Sequence, residues 1–367
     1  MRYIHELKNW PQFTWDKDKI SSLLGPIRNR LGRLTGRMEA LGFSLRSEAV
    51  LQTLTMDVLK SSEIEGEILE RDEVRSSIAR KLGMNIAGLV PSDRHVDGVV
   101  DTMLDAIQNF SKPLTKSRLL GWQNTFFPTG RSGMHKIIAG AWRNDRHGPM
   151  QVVSGPLGRE KAHFKAPDAS RIESEIKDFL SWFNKSNHID PVLKAGIAHF
   201  WFVTVHPFED GNGRLARAIT DMQLARADDS KQRFYSMSVQ IRLERNTYYV
   251  ILEKTQKNAD LDITAWLEWF LSCLDRALST TEQTLADVFK KAAFWETHRT
   301  SSFNDRQRRM INKLFDGFEG KLTSTKWAKM TKTSHDTALR DISELLDKKI
   351  LTKDDAGGRS TSYQLKL

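Results

Sequence analysis

The chain has 367 residues, a formal net charge of +10 and a single cysteine, Cys273. The length exceeds that of a usual single domain, so two or three domains with separate cores are expected, and the lone thiol excludes an internal disulfide or a Cys-rich zinc site. The longest apolar run, Ala195 to Val205, is interrupted by His199 and falls short of the ~20 residues that span a bilayer; Met1 to Glu6 lacks the apolar stretch of a signal peptide, so a cytoplasmic chain with no membrane partner is expected.

Apolar residues recur at helical spacing and sustained strand alternation is almost absent, which predicts a mainly α fold. Helices are expected over Ile20 to Leu41, Ser47 to Lys60, Val96 to Phe110, Ser170 to Asn184, Pro191 to Val205 and Ile263 to Leu278, with Pro191 suited to a first helical turn. Residues 148 to 168 break this rule. They hold two short extended pieces, Gln151 to Ser154 and His163 to Lys165, around a Gly- and Pro-rich tip, the pattern of a β-hairpin. Cys273, beside Phe270, Leu271 and Leu274, reads as a buried thiol.

The polar run Arg299 to Asn304 predicts a domain break. Beyond it, Ser301 to Leu367 holds 14 Lys and Arg against 9 Asp and Glu, a balance that suits a solvated surface as well as nucleic-acid contact. Helices are expected over Thr323 to Met330 and, capped by Ser334, over His335 to Leu346, with Asp336, Arg340 and Asp341 on exposed faces. Strands at Ile350-Leu351 and Tyr363 to Leu365 would flank Gly357, Gly358 and Arg359, and the whole resembles a winged helix. On that reading Lys332, Thr333, Ser334, His335, Thr337 and Arg340 are candidate DNA contacts. Winged helices also serve as dimerisation or docking modules, so DNA and a second copy of the chain are both admitted as partners.

The chemistry concentrates in "VHPFEDGNGRLARA", residues 205 to 218. His206 precedes a proline and is pushed away from α conformation, so the preceding helix should end there. Gly211, Asn212 and Gly213 can turn their backbone N–H groups into one concavity, and the helix expected to start at Gly213 or Arg214 aims its N-terminal N–H groups at the same place. Arg214 and Arg217, three apart, share a face of that helix. The result is a polyphosphate cradle with an imidazole and a carboxylate at its lip. Asp210 is suited to hold Mg²⁺ beside phosphates and His206 to take a proton from an attacking hydroxyl. Phe208 reads as an anchor in the core. The G-x-x-x-x-G-K-[ST] and H-E-x-x-H patterns are absent, as is a G-x-G-x-x-G following a strand.

His206 to Arg217 matches the Fic-family signature H-x-F-x-[DE]-G-N-G-R-x-x-R at every fixed position, and the chain resembles that family. Most Fic proteins are protein adenylyltransferases, moving AMP from ATP to a Ser, Thr or Tyr hydroxyl. The resemblance implies His206 as general base, Asp210 as Mg²⁺ ligand, Gly211, Asn212 and Gly213 on the α and β phosphates, and Arg214 and Arg217 on the β and γ. It makes the hairpin 148–168 a flap that pairs with a target protein by strand addition, with Val153, Ser154 and Gly155 lining the nucleotide side. Tyr248, Tyr249 and Gln256 resemble the family's adenine-pocket residues. Ser61-x-x-x-Glu65-Gly66 resembles its inhibitory motif, with Glu65 competing for Arg217.

The expected organisation is an N-terminal helical extension with the inhibitory helix (1–95), a Fic helical core with its β-hairpin flap (96–299) and a winged-helix module (300–367). It looks like one bacterial group of Fic proteins. Three functional readings are carried: an adenylyltransferase autoinhibited by Glu65, a nucleotide-sensing DNA-binding regulator, and a Fic enzyme that removes AMP or transfers another phosphate-containing group.

Overall fold

The computed structural model describes residues 2–366 except 87, 147, 155–160, 186–187, 316–317, 319 and 355–360. The fold is mainly α, with three two-stranded antiparallel hairpins among the described residues. Its contacts define two compact units: residues 1–40 with 46–282, and residues 41–45 with 283–367.

The first unit is built on the helix Pro191–Val205. Asp190 caps it by accepting from Val192 N at 2.8 Å, and Pro191 occupies its first turn. Every residue from Val192 to Val205 is buried, so the helix is covered on all faces and is a core element. It packs along the helix Asn212–Asp228, which is almost as fully buried although it carries Arg214, Arg217 and Asp221. Helices Lys17–Glu39, Arg94–Gln108 and Lys116–Phe126 pack on Asn212–Asp228, while Ile172–Asn184 packs on Pro191–Val205. The helix Thr264–Thr284 approaches closely because Gly196 has no side chain: a Cβ there would lie 2.8 Å from the ring of Phe270. Cys273 lies on that helix, fully buried, and burial pushes its thiol pKa up.

Local chemistry set the helix ends beyond the apolar pattern. The first two expected helices run from Lys17 to Glu39 and from Phe43 to Ile64, the second extending past Lys60 to include Ser61. Helices Arg71–Lys81, Lys116–Phe126 and Met237–Leu243 and a small hairpin, Arg131–Ser132 with His135–Lys136, join the expected elements. The flap strands are Gln151–Ser154 and Lys161–Lys165, antiparallel with a bulge at Val152/Val153. No helix among the described residues is long and apolar enough to cross a membrane.

The second unit has its own core of Phe294, Met310, Ile311, Leu322, Trp327, Ala338, Ile342, Leu345, Ile350, Leu351 and Tyr363. It starts at Gln283, one helix before the expected break, because Phe294 of the helix Ala286–Thr297 packs into this core. The polar run Arg299 to Asn304 is the turn between that helix and Asp305–Phe315. Ser324–Thr331 and His335–Asp347 follow, joined through Lys332 at φ 53°, with Ser334 accepting from Thr337 N at 3.2 Å. Strands Leu351–Lys353 and Tyr363–Leu365 pair antiparallel, and Gly357, Gly358 and Arg359 between them lie outside the described residues. One expectation is reversed: Asp341 is not on an exposed face. It is 3 % exposed and takes Arg306 Nε at 2.7 Å and Asn304 Nδ2 at 2.8 Å, since Asp305–Phe315 covers that side of its helix.

Candidate active site

The helix Pro191–Val205 ends as expected at His206, but by a left-handed turn rather than an extended residue. His206 has φ 50° and ψ 58°, and its N–H still reaches Phe202 O. A non-glycine residue pays about 1 kcal/mol for that conformation, and the turn swings the imidazole off the helix axis. His206 Nδ1 lies 3.2 Å from Val203 O. A carbonyl can only accept, so Nδ1 carries the hydrogen and Nε2 keeps its lone pair. Burial lowers the His206 pKa to about 4; Val203, Glu65 and Asp210 oppose the shift and Arg143 adds to it. The imidazole is therefore neutral at ordinary pH and able to take a proton.

From His206 to Gly213 the chain is a closed loop. Asn212 holds it like a strand partner, accepting from Phe208 N at 3.0 Å and donating to Phe208 O at 2.8 Å, while Phe208 is buried beside Trp142. The Asn212 side chain thus serves the loop, leaving the backbone N–H groups of Asn212 and Gly213 for an anion. Gly211 adopts φ 89° against Phe126 and Phe127, where a Cβ would lie 3.1 Å from a ring carbon. Asp210 Oδ1 accepts from Gly211 N at 2.5 Å, and Oδ2 accepts from Ser132 Oγ of the small hairpin. Among the described residues no three His, Cys, Asp or Glu side chains converge to hold an ion unaided. A cation at Asp210 would then take its other ligands from phosphate and water, which is the habit of Mg²⁺, and a single anchored carboxylate fits it.

Both arginines of the cradle are engaged by residues 61–67. The helix Phe43–Ile64 closes in a Schellman turn, with Gly66 N donating to Glu63 O, Glu67 N to Ser62 O, and Gly66 at φ 87°. That turn aims two acids at the start of Asn212–Asp228. Glu65 Oε1 lies 2.8 Å from Arg217 Nη2, and Ser61 accepts from Arg217 through both Oγ and its carbonyl, each at 2.8 Å. Glu65 Oε1 also sits over Gly213, where a Cβ would come within 2.0 Å of it. Arg214, 6 % exposed and stacked on Phe126 and Phe127, pairs with Glu67 Oε2 at 2.8 Å. The other oxygen of Glu67 meets His95 Nε2, while His95 Nδ1 bonds Phe126 O at 2.9 Å. Both acceptors require a hydrogen from the ring, and Glu67 raises the His95 pKa accordingly. Arg245 Nε donates to Ile64 O at 2.8 Å, tying down the helix end. Glu65, Glu67, His95, Arg131, Asp210 and Arg214 line one cavity of about 570 Å³.

The remaining expected site residues divide. Val153 is 48 % exposed on the flap, beside Ser154 in the same strand, whereas Gly155 lies outside the described residues. His163 anchors the flap to Glu253 at 2.7 Å. Tyr248 and Gln256 are core residues here rather than walls of an opening. Tyr248 is 2 % exposed with its hydroxyl 3.0 Å from His199 Nε2, and Gln256 is 3 % exposed and donates to Thr204 Oγ1 at 3.2 Å. Tyr249 is half-buried with Arg245 over its ring. In the second unit Lys332, Ser334, His335 and Arg340 are exposed, and Thr333 and Thr337 are half-buried. The sequence reading missed Arg143, Ser132, Glu67 and His95.

Residues 113–224 match the Fic/DOC family profile. Residues 3–84 match a profile described as a domain of unknown function, DUF4172. A Fic family protein from Desulfovibrio desulfuricans G20 shares the fold with a TM-score of 0.59 at 21% identity, over 97% of this chain and 98% of its own. The chain is 32% identical over 96 residues to the protein adenylyltransferase fic-1 of Caenorhabditis elegans, covering 26% of this chain and 18% of that relative. It is 31% identical over 105 residues to protein adenylyltransferase Fic of Drosophila mojavensis, covering 28% and 19%. The match thus spans about a fifth of the length of these curated relatives.

Proposed function

We propose that the chain transfers AMP from ATP to a hydroxyl side chain of a target protein, and that residues 61–67 hold it in an inhibited state. The observation that carries this reading is the carboxylate of Glu65, held 2.8 Å from Arg217 and against Gly213. An internal anion occupies the cradle that a terminal phosphate of ATP would need. Glu67 does the same at Arg214. ATP must displace both acids to use both guanidinium groups, and with Arg217 engaged its γ-phosphate has no partner there.

In the released state the target hydroxyl oxygen attacks the α-phosphorus and its proton passes to His206 Nε2. The bond from the α-phosphorus to the α–β bridging oxygen breaks, and pyrophosphate leaves with that electron pair. Backbone N–H groups of Asn212 and Gly213 at the start of Asn212–Asp228 stabilise the charge on the phosphates. Mg²⁺ on Asp210 would neutralise phosphate charge and orient the leaving group. The flap, with Val153 exposed on its strand Gln151–Ser154, is the surface on which an extended target segment would add a strand.

Mass spectrometry tests the reading directly: Glu65→Gly protein incubated with ATP, Mg²⁺ and cell lysate should yield Ser, Thr or Tyr hydroxyls heavier by one AMP. Finding none, with the variant folded, removes it. A different added mass points instead to transfer of another phosphate-containing group.

A second reading, DNA contact through the second unit as a winged helix, gains from the burial of Asp341. The exposed side of His335–Asp347 then presents His335 and Arg340 with one acid fewer to repel phosphates. Fluorescence anisotropy with duplex DNA at two salt concentrations decides it. Salt-dependent retention supports the contact, and none at low salt ends it.

A further inference from the structure

We propose that Arg143 is a positioning residue that sets the register between the catalytic imidazole and the target-binding flap. Arg143 is 3 % exposed, and its partners lie at His206-Pro207 and on the two flanks of the flap strands. Nε donates to His206 O at 2.7 Å, and the Arg143 backbone N–H donates to Pro207 O at 3.0 Å. Nη2 donates to Pro167 O, two residues after the flap strand Lys161–Lys165. Nη1 pairs with Asp145 Oδ1 at 2.8 Å, just ahead of the flap, and Asp145 Oδ2 accepts from Ala169 N at 2.6 Å.

The geometry has a specific logic. His206 stands in a left-handed conformation that directs its carbonyl away from the helix it terminates. That carbonyl needs a donor, and a buried unpaired one is costly. Arg143 supplies it, and its planar fork binds both ends of the flap at the same time. A target segment added to the flap is thereby held at a fixed offset from Nε2, the atom that must take its proton. The same cation faces the imidazole together with Glu65 and Asp210. Removing it therefore alters proton affinity as well as position. The phosphate cradle on Asn212–Asp228 makes no use of Arg143, so ATP binding should be spared.

The inference rests on the adenylyl-transfer reading, and two of its measurements do not. In the full-length Glu65→Gly protein, Arg143→Met should slow target labelling by about tenfold or more at saturating ATP with the KM for ATP nearly unchanged. The His206 midpoint, followed by NMR on histidine-labelled protein, should rise, and amide exchange should quicken at residues 151–153 and 161–166. Arg143→Lys keeps the charge and loses the fork: it should hold the His206 midpoint while labelling remains slowed. If Arg143→Met does not fold, Arg143→Lys decides alone, and labelling at the parent rate overturns the inference. An unmoved His206 midpoint with parent exchange in folded Arg143→Met also overturns it, even when labelling slows. Should no protein become labelled by any variant, adenylyl transfer is the failed premise, and the NMR and exchange readings still judge the bracket.

Discussion

Two arginine–carboxylate pairs of nearly equal length stand in different surroundings. Arg217 meets Glu65 at 2.8 Å, and Arg306 meets Asp341 at 2.7 Å. Asp341 is buried, and its carboxylate accepts from Asn304 Nδ2, Arg306 Nε and Trp327 Nε1. Glu65 instead lines a 570 Å³ cavity next to glycines and backbone donors that an anion from solution could equally satisfy. Contact length is therefore uninformative about role. What separates them is which partner is open: Arg306 is 39 % exposed beside a buried Asp341, whereas Arg217 is 3 % exposed and its acid, Glu65, is the partner that faces the cavity.

The comparison can be broken in order of size. His206→Ala should reduce labelling by about a hundredfold or more in the Glu65→Gly protein, since it removes the proton acceptor; labelling at parent rate would leave the exchangeable pair with no reaction to restrain. Glu65→Gly alone should raise labelling about tenfold over the parent chain, with a melting temperature close to the parent's. Asp341→Ala should do the reverse, costing the second unit about 2–3 kcal/mol by calorimetry with no change in labelling rate. If Glu65→Gly unfolds the protein and Asp341→Ala does not, the distinction is inverted. Glu67→Gln should tighten ATP about threefold by titration calorimetry, a smaller effect because only Arg214 is freed.

The smallest expected effect is in pH. Burial lowers the His199 pKa to about 3, with Arg217 adding to the shift. A folded value below the ordinary 6.5 means that the unfolded chain binds the proton more readily, so stability of the first unit is full above 6.5 and declines as pH falls toward 3. Asp341 is also lowered; burial opposes this, but the bonds from Arg306 and Asn304 prevail. Its contribution to the second unit persists down to the ordinary carboxylate value of 3.8 and is lost below it. Calorimetry at pH 7 and pH 5 should show the first unit losing ground while the second holds.

The loop 205–218 was legible because its chemistry is contiguous: a proline, three loop formers and two arginines three apart specify a turn and a helix start without reference to anything distant. The flap strand Gln151–Ser154 and the helix Pro191–Val205 were readable for the same reason. Arg143 was not, since nothing local marks it and its partners lie up to 64 residues away. Glu67 and His95 were hidden likewise: each is an ordinary polar residue until the Schellman turn at Gly66 points one toward the other. Tyr248 and Gln256 admitted two readings. An aromatic and an amide on an amphipathic helix read equally well as a pocket wall or as core, and His199 and Thr204 on the neighbouring helix take their polar atoms inward. Asp341 was placed outside by helical position alone, before the helix Asp305–Phe315 could be set against it.

The left-handed backbone at His206 offers a cleaner knock-out than alanine. Glycine adopts φ 50° with less strain than any other residue, so His206→Gly would delete the ring while relaxing the peptide that carries it. The vacancy is imidazole-sized, and free imidazole added to the solution becomes a candidate to refill it and restore labelling. Rescue that rises with the basicity of substituted imidazoles would show that proton transfer to the base belongs to the rate-limiting step.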